Sequence, residues 1–286
     1  QHNQHTPPAR PFPTNSIPST STYVPTESLK VRAECFPIAK VGGLADGVGA
    51  LPQYQQKNRV VSKVSMPFYE NDFSRKRNFD TTYKGHLKMG KLHYDFSVLI
   101  PQEPLEFPIY LVDIPGLFDR PEVYSYEDDV ERFLAFQLAV LEWMLHLDSK
   151  PSIVHAHDHH TGFLAFLMSH APSFEALKEI PTVFTIHNAQ YQGQFGYDKL
   201  RYFPEFDLKK MGFIDWDGSI NPLATAIKCS WRVTTVSPGY LKELKSNANG
   251  LEELVNQESE KFSGILNGID TKVWNPETDK HLVKNY

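Results

Sequence analysis

Short apolar runs that alternate with helical segments constrain this chain more than any other sequence feature. Residues 108–113, 152–157 and 181–187 are largely apolar runs that are short enough for strands. Residues 128–146, between the first two runs, keep apolar side chains at helical spacing. Because continuous apolar runs are typical of strands buried on both faces, the alternation predicts an α/β fold with a mainly parallel sheet and flanking helices.

Weaker patterns complete the predicted element order. Residues 82–88 and 92–99 alternate apolar and polar around Met89-Gly90-Lys91, which predicts a β-hairpin insertion. The hydroxyl- and proline-rich residues 1–27 are predicted to be a disordered leader, and residues 28–286 to form one domain. The acidic stretch Glu127-Asp128-Asp129 is predicted to be a helix N-cap, with a solvated loop as the alternative. Further strands are predicted over 29–33, 59–67, 232–237 and, with a turn, 264–270. The strand over 29–33 is weak, because it is short and carries Arg32.

Further helices are predicted over 47–56, 161–170, 222–230 and 251–260, and one more begins at Pro238.

The composition of the chain limits the kinds of partner and the compartment that we expect for it. The net charge of −5 gives no electrostatic reason to expect nucleic acid or an anionic membrane surface. The two cysteines lie far apart, which predicts a reducing compartment, here the cytoplasm. No apolar run approaches a membrane span, and no secretory pattern opens the chain.

A glycine-rich stretch follows the weak first strand. It carries Lys40, then Gly42 and Gly43, then a plausible helix start at Asp46. A mobile ammonium group, closely approachable backbone N–H groups and a helix end together suit an anion, most plausibly phosphate. The alternative is a strand-to-helix turn that needs glycine for its backbone angles.

Polar residues stand just past the predicted strands, where parallel sheets place their ligand sites. They are Asp113, His157-Asp158-His159-His160, His187-Asn188, Ser237 and Asn267. The histidine-rich cluster from His155 to His160 has three readings: metal ligands, hydrogen-bonding groups that contact substrate, or structural side chains bonded to backbone. His187, Asn188 and Tyr191 offer neutral hydrogen-bonding groups and an aromatic face, a combination suited to a sugar. Asn267-Gly268 alone indicates a turn.

Several of these motifs occur together and in order. They include Lys40-Val-Gly-Gly43, His155-Ala-His-Asp158, Ile186-His-Asn188 and Leu266-Asn-Gly268. From about residue 29 to its end, the chain resembles the N-terminal half of the bacterial glycogen synthase and plant starch synthase family. The matching stretches are residues 33–46, 119–121, 128–133, 154–158, 184–188, 191–193, 234–238, 265–270 and 274–279.

The resemblance implies one of the two Rossmann-like halves of a GT-B glycosyltransferase. Such enzymes transfer glucose with retention from ADP-glucose, a co-substrate, to the 4-hydroxyl of an α-1,4-glucan, and they need no metal or other cofactor. It also implies residue roles. Lys40, Gly42 and Gly43 would contact the diphosphate, and Asp46 would lie near the acceptor. Asp158 and His187 would line the donor glucose site, with the main-chain carbonyl of His187 near the reacting carbon. Tyr124, His160, Asn188, Tyr191 and Asn267 would contact glucose or glucan.

Three departures from the family pattern limit these expectations. The chain reaches Tyr286 without a second, nucleotide-binding domain, its first strand is short, and Gly47 stands where the family usually has valine. We therefore expect negligible transferase activity from this half alone. Two rival functions stay open at this point: a non-catalytic glucan- or partner-binding module derived from a synthase, and a metal-dependent phosphohydrolase that uses His155 to His160.

Overall fold

A computed structural model describes residues 26–39, 51–271 and 274–286. Its strands are β1 (Thr26–Val31), β2 (Val60–Pro67), β3 (Phe79–Met89), β4 (Leu92–Pro101), β5 (Ile109–Asp113), β6 (Ile153–His157), β7 (Thr182–Ile186), β8 (Asp215–Trp216), β9 (Ser219–Ile220), β10 (Arg232–Thr235) and β11 (Phe262–Gly264). Its α-helices are α1 (Leu51–Lys57), α2 (Asp72–Arg75), α3 (Asp129–Leu145), α4 (Leu164–His170), α5 (Pro222–Cys229), α6 (Pro238–Leu244) and α7 (Glu252–Gln257). Short 3₁₀ turns cover His159–Thr161, Pro172–Leu177, Tyr197–Tyr202, Leu208–Phe213 and Ser259–Lys261.

Nine of these strands form one sheet in the order β11-β10-β7-β6-β1-β2-β5-β4-β3. Pairing is parallel from β11 through β5, which confirms the predicted mainly parallel sheet. The strand read as weak, β1, lies at the centre between β2 and β6. It begins at Thr26, so the predicted leader ends two residues too late; residues 1–25 lie outside the described part of the chain.

The predicted hairpin is present and longer than expected. Strands β3 and β4 pair antiparallel from Phe79 to Pro101, and β4 continues antiparallel onto β5. The hairpin therefore extends the sheet on the side away from β6 and β7. Gly90, in the turn, has φ +63°, and a Cβ there would lie 2.2 Å from the Arg201 carbonyl oxygen, so this turn needs glycine.

Helix α3 is buried almost all around. Beyond its predicted apolar stripe, Arg132 and Gln137 are also buried. The Gln137 side chain donates to the Phe133 carbonyl at 3.0 Å and accepts from the Phe163 backbone N–H at 2.8 Å. A helix wrapped by other elements on most sides satisfies its buried polar groups in this way.

Several predicted boundaries are wrong. The strand predicted over 264–270 ends at Gly264, and Ile265 and Leu266 are exposed by 58% and 74%. An apolar run that nothing covers gains little from strand formation. The helix predicted over 161–170 begins at Leu164 after a 3₁₀ turn, and the one over 251–260 ends at Gln257. Part of the helix predicted over 47–56, including Gly47, lies outside the described residues.

The two faces of the central strands differ in chemistry. Alternation along β1, β6, β7 and β10 places Leu29, Val31, Val154, Ala156, Phe184 and Val233 on one side, which we call the apolar face. The polar face carries Lys30, His155, His157, Thr185 and Thr234. Arg32, one residue past the end of β1, continues the alternation on this side. Among the described helices, none is long and apolar enough to span a membrane.

Candidate functional site

A cavity of about 800 Å³ opens at the carboxyl ends of the parallel strands. The segments that follow five strands each contribute to its lining, for example Glu34 after β1, Asp158 after β6, His187 after β7, Val236 after β10 and Asn267 after β11. Parallel strands bring these five segments to the same edge although they are distant in sequence.

Seven of the predicted site residues meet in this cavity. They are Tyr124, Asp158, His160, His187, Asn188, Tyr191 and Asn267. Four others, Lys40, Gly42, Gly43 and Asp46, lie outside the described residues. Two polar residues predicted at strand ends, Asp113 and Ser237, do not line the cavity, and Ser237 instead caps α6 by accepting from the Tyr240 backbone N–H at 2.9 Å.

Asp158 is held in an unusual backbone conformation. Its φ of 57° and ψ of 176° lie in a region that costs a non-glycine residue about 1–3 kcal/mol. Its N–H donates to the Thr185 carbonyl at 3.0 Å, and its Oδ1 accepts from the His187 N–H at 2.9 Å. Burial raises the pKa of the Asp158 carboxyl to about 7, against the lowering effect of the His187 N–H and the Arg32 charge. The surrounding hydrogen bonds therefore fix a carboxyl group that takes up or releases a proton near neutral pH.

The histidine-rich cluster forms hydrogen bonds and stacks along the polar face. His157 Nδ1 lies 3.1 Å from His187 Nε2, and the rings of His155 and His157 stack with centroids 4.2 Å apart. His155 Nε2 lies 2.7 Å from the Thr185 hydroxyl, which lies 2.6 Å from the Thr234 hydroxyl. Burial lowers the pKa of His187 to about 3 and that of His159 to about 4. These imidazoles are neutral at pH 7 and act as hydrogen-bonding groups.

The metal reading of the cluster finds no support in this arrangement. Within residues 26–39, 51–271 and 274–286, no three His, Cys, Asp or Glu side chains are placed to hold one ion. His155 Nε2 faces the Thr185 hydroxyl, His155 Nδ1 faces Lys30 Nζ, and His157 Nδ1 faces His187 Nε2 instead. Hydrogen bonding thus accounts for the cluster better than metal ligation does.

Tyr124 forms one wall of the cavity. Its hydroxyl donates to the Glu34 carboxylate, and its ring stacks on His160 at 4.5 Å with 18° between the planes. Phe133 packs edge-on against His160 with centroids 4.6 Å apart, and it also lies 5.9 Å from the Tyr124 ring. Burial, with the negative charge of Glu34, holds the pKa of Tyr124 far above its usual range. The hydroxyl therefore stays protonated and serves as a donor.

A buried arginine holds the loop that carries Tyr124. Arg132 Nε donates to the Leu117 carbonyl at 2.7 Å, and its Nη1 donates to the Val123 carbonyl at 3.1 Å and to Asp129 Oδ1 at 2.6 Å. Asp129 Oδ2 in turn accepts from the Ser125 N–H at 2.8 Å. The wall is therefore built on α3, a rigid element.

The N-cap predicted for the acidic stretch 127–129 is at the expected place but lacks the expected hydrogen bond. Asp128 stands at the N-cap position of α3, but its side chain accepts no hydrogen bond from the helix. Its two oxygens pair with Arg120 Nη1 and Nη2 at 2.6 and 2.7 Å. A bidentate pair with a guanidinium is stronger than a bond to one backbone N–H, so the charge pair prevails.

The opposite side of the cavity combines an exposed ring with an apolar back. Tyr191 exposes 61% of its surface at the mouth. Gly193, with φ +71°, lets the chain pass His159, because a Cβ there would lie 2.4 Å from His159 Cδ2. Phe163 and Phe195 line the interior. An exposed aromatic mouth and a mostly apolar interior with a few polar groups are typical of a ligand site.

Sequence reasoning about the site missed Glu34, Arg132, Phe163 and Phe195. Glu34 lies in a motif that was recognised, but nothing local distinguished its side chain as a cavity group. Arg132 and the two phenylalanines sit in helical or loop stretches where charged and apolar residues are usual. Only their meeting in three dimensions marks them.

Three comparisons place the chain among known proteins. The model of the starch synthase catalytic domain family matches residues 29–257. A glycogen synthase from Flavobacterium johnsoniae is 50% identical over 261 residues, covering 91% of this chain and 55% of the relative. A glycogen synthase from Streptococcus uberis is 36% identical, with 89% and 54% covered. The chain spans about half the length of these relatives.

A solved structure shares the fold. The catalytic domain of starch synthase IV from Arabidopsis thaliana, bound to ADP and acarbose, matches with a TM-score of 0.80 and 31% identity. The match covers 92% of this chain and 55% of that one. The likeness confirms a Rossmann-like fold that corresponds to one half of a GT-B architecture.

Proposed function

The chain belongs to the starch synthase catalytic domain family, and from that premise we propose that it forms the acceptor-side half of a glycogen or starch synthase-like glucosyltransferase. In the proposed reaction, the bond between glucose C1 and the diphosphate oxygen of ADP-glucose breaks with its electron pair left on that oxygen. C1 then bonds, with retention, to the 4-hydroxyl oxygen of an α-1,4-glucan end, whose proton leaves with ADP. The observation that carries this proposal is the meeting of seven predicted sugar-site residues in one cavity.

Asp158 and His187 are the proposed catalytic residues. The Asp158 carboxyl and the neutral His187 imidazole suit the hydroxyl groups of the donor glucose, because both accept hydrogen bonds and neither is fixed as a cation. The main-chain carbonyl of His187 is proposed to lie near C1, where its partial negative charge stabilises the positive charge that develops there. Holding both groups at adjacent strand ends avoids reorganisation during the reaction.

The remaining cavity groups are proposed to hold glucose or glucan. The exposed Tyr191 ring offers a stacking surface for a pyranose, and Asn188 and Asn267 offer amide donors and acceptors. Tyr124 and His160, which stack on each other, close the wall beside the acceptor. Such mixed aromatic and amide surfaces suit a ligand with alternating apolar and hydroxyl faces.

The nucleotide is assigned to the glycine-rich stretch. We propose that Lys40, Gly42 and Gly43 contact the diphosphate and that Asp46 lies near the acceptor. ADP-glucose as co-substrate is supported by the ADP named with the starch synthase IV structure. That the reaction uses no further cofactor is part of the proposal. The partners are then a sugar nucleotide and a glucan, without nucleic acid or membrane. The cytoplasm is the proposed location, where Cys35 and Cys229 stay as thiols.

Glucan binding is tested on the chain as it stands. We expect maltooligosaccharides to bind by titration calorimetry and Tyr191→Ala to weaken binding about threefold to tenfold, through loss of ring contact. Tyr197→Ala is the matched control, since Tyr197 is also an exposed tyrosine, at 45%, but does not line the cavity. Equal affinity of all three proteins would remove Tyr191 from the acceptor site.

Catalysis by the isolated half is tested separately. Because the chain covers 55% of the glycogen synthase from Flavobacterium johnsoniae, we propose that it transfers negligible glucose alone. The chain is incubated with labelled ADP-glucose and glycogen, and the polymer is recovered and counted. Sustained transfer of label would contradict this part of the proposal.

A further inference from the structure

Arg32 is a buried cation without a partner at the carboxyl end of β1. It exposes 1% of its surface, and its Nε, Nη1 and Nη2 have no hydrogen-bond partner in the described part of the chain. A guanidinium stays charged and carries five N–H donors in a fixed fork. Leaving it buried and unpaired is strongly unfavourable, so the position calls for an anion.

The groups around Arg32 do not supply that anion within the described residues. Lys30, two residues earlier on the same face, is also buried, and its Nζ lies 3.3 Å from His155 Nδ1. Burial, and then the charge of Arg32, lowers the pKa of Lys30 to about 7, so Lys30 supplies no anion and is only partly charged at neutral pH. His157 Nε2 is also buried without a partner. The nearby carboxylates are engaged elsewhere: Glu34 accepts from Tyr124, and Asp158 accepts from the His187 N–H. Within the described residues, the Arg32 guanidinium therefore keeps unused hydrogen-bond donors on the polar face.

The positive charge of Arg32 acts on two residues that line the cavity, His187 and Asp158. Burial is the first cause that lowers the pKa of His187, and the positive charge of Arg32 is the second. The same charge opposes the rise in the pKa of Asp158. Arg32 does not line the cavity itself, but Glu34, two residues later, and His187 and Asp158 do. An arginine side chain is long and flexible enough to turn from an unfavourable buried position toward a ligand there.

We propose that Arg32 binds the terminal phosphate of a nucleoside diphosphate at the carboxyl end of β1. This inference rests on the proposed glucosyltransferase function and adds a phosphate ligand from the strand itself. When the bond between C1 and the phosphate oxygen breaks, its electron pair stays on that oxygen, and the guanidinium fork is matched to the charge that results. The bound phosphate also supplies the hydrogen-bond partner that the buried Arg32 guanidinium lacks in the described part of the chain.

The test measures affinity and thermal stability in the same proteins. Arg32→Gln and Arg32→Lys are compared with the unmodified chain and with Arg75→Gln, which removes an exposed arginine from α2. ADP, pyrophosphate, orthophosphate and a maltooligosaccharide are titrated separately. We expect Arg32→Gln to weaken ADP and pyrophosphate binding about tenfold or more, and Arg32→Lys to weaken it less, since lysine keeps the charge but not the fork. Maltooligosaccharide affinity should not change.

Thermal unfolding separates this role from a structural one. Arg32→Gln removes an unpaired buried charge, so the ligand-free variant should melt at the same or a higher temperature than the unmodified chain. At the same concentration, pyrophosphate should raise the melting temperature of the unmodified chain by more than that of Arg32→Gln. A structural role would instead lower the melting temperature without ligand.

Several results would overturn the inference. They are absence of pyrophosphate binding by the unmodified chain, equal pyrophosphate affinity in Arg32→Gln, and orthophosphate binding as tight as that of pyrophosphate. If Arg32→Gln fails to fold, Arg32→Lys decides: equal pyrophosphate affinity overturns the inference, and a loss of threefold or more supports it. Loss of maltooligosaccharide binding in the unmodified chain, with Arg32-dependent pyrophosphate binding kept, contradicts the proposed function alone.

Discussion

The two faces of the central strands stabilise their buried side chains in opposite ways. On the apolar face, Val154, Phe184 and Val233 are fully buried and need only shape complementarity. On the polar face, His155, Thr185 and Thr234 form a chain of hydrogen bonds, whereas Arg32 has no hydrogen-bond partner among the residues that the structure describes. Both faces belong to the same strands, so one residue of register separates the part that stabilises the fold from the part that supplies chemistry.

The two faces differ in the kind of change that destabilises them. The apolar face loses stability when volume is removed, because a cavity forms. The polar face loses stability when protonation or an unpaired group disturbs its hydrogen bonds. Three perturbations of the free energy of unfolding distinguish the two faces.

Acid should have the largest effect, and it acts through the imidazoles. Burial lowers the pKa of His155, His157 and His160 well below the ordinary value of about 6.5, and those of His159 and His187 to about 4 and 3. The unfolded chain therefore binds more protons than the folded one below about pH 6.5. Stability is fully present above that pH and is lost as the pH falls, by about 1.4 kcal/mol per pH unit for each imidazole.

Urea unfolding at a series of pH values checks this expectation. We expect the free energy of unfolding to fall by more than about 5 kcal/mol between about pH 6.5 and pH 4.5. Asp158 works in the opposite direction, because its raised pKa of about 7 gives stability that is lost as the pH rises, but it is a single group. A free energy that stays level across this range would contradict the burial of neutral imidazoles.

Removing volume from the apolar face should have the next largest effect. Phe184→Ala on β7 is expected to lower the free energy of unfolding by about 3–5 kcal/mol, since Phe184 is fully buried. Val183→Ala is the matched control, one residue earlier on the polar side and half-buried, and should lower it by about 1 kcal/mol. Similar losses for both variants would mean that the two faces do not differ in packing.

A single hydroxyl of the polar face should have the smallest effect. Thr234→Val keeps the shape but removes one partner of the 2.6 Å hydrogen bond with Thr185, and should lower the free energy of unfolding by about 1 kcal/mol. Thr81→Val on exposed β3 should change it by less than about 0.5 kcal/mol. If the two substitutions are equivalent in urea unfolding, the Thr185–Thr234 bond does not stabilise the face.

Apolar runs predicted most of the sheet, because burial on both faces leaves a continuous signal. Strands β5, β6 and β7 and helix α3 lie within two residues of their predicted bounds. The central strand β1 was read as weak because Lys30 and Arg32 interrupt its apolar pattern. In a local sequence pattern a charged residue is interpreted as exposed to solvent, whereas here the side chains of Lys30 and Arg32 are both buried. The strand predicted beyond Gly264 failed for the converse reason, since apolar residues there stay exposed.

The candidate site was predictable where polar residues follow buried strands. Asp158, His187 and Asn267 stand at such positions, and the parallel sheet brings them together. Tyr124 was identified only through family resemblance, because it lies in an irregular loop. The pairing of Glu34 with Tyr124 and the three-acceptor clamp of Arg132 join segments far apart in sequence, and no local pattern encodes such contacts.

The position of β1 at the centre of the sheet also shapes how the chain is made. Its neighbour β2 follows soon after, but Lys30 and its contact His155, on β6, are 125 residues apart. At about 5–20 residues per second, a ribosome needs about 6–25 s to supply that second neighbour. Throughout this interval one edge of β1, with Leu29 and Val31 beside it, waits unpaired as a template for other strands. The buried cations Lys30 and Arg32 then stand where charge discourages such pairing, so the residues that weaken the strand as a sequence pattern protect the nascent chain.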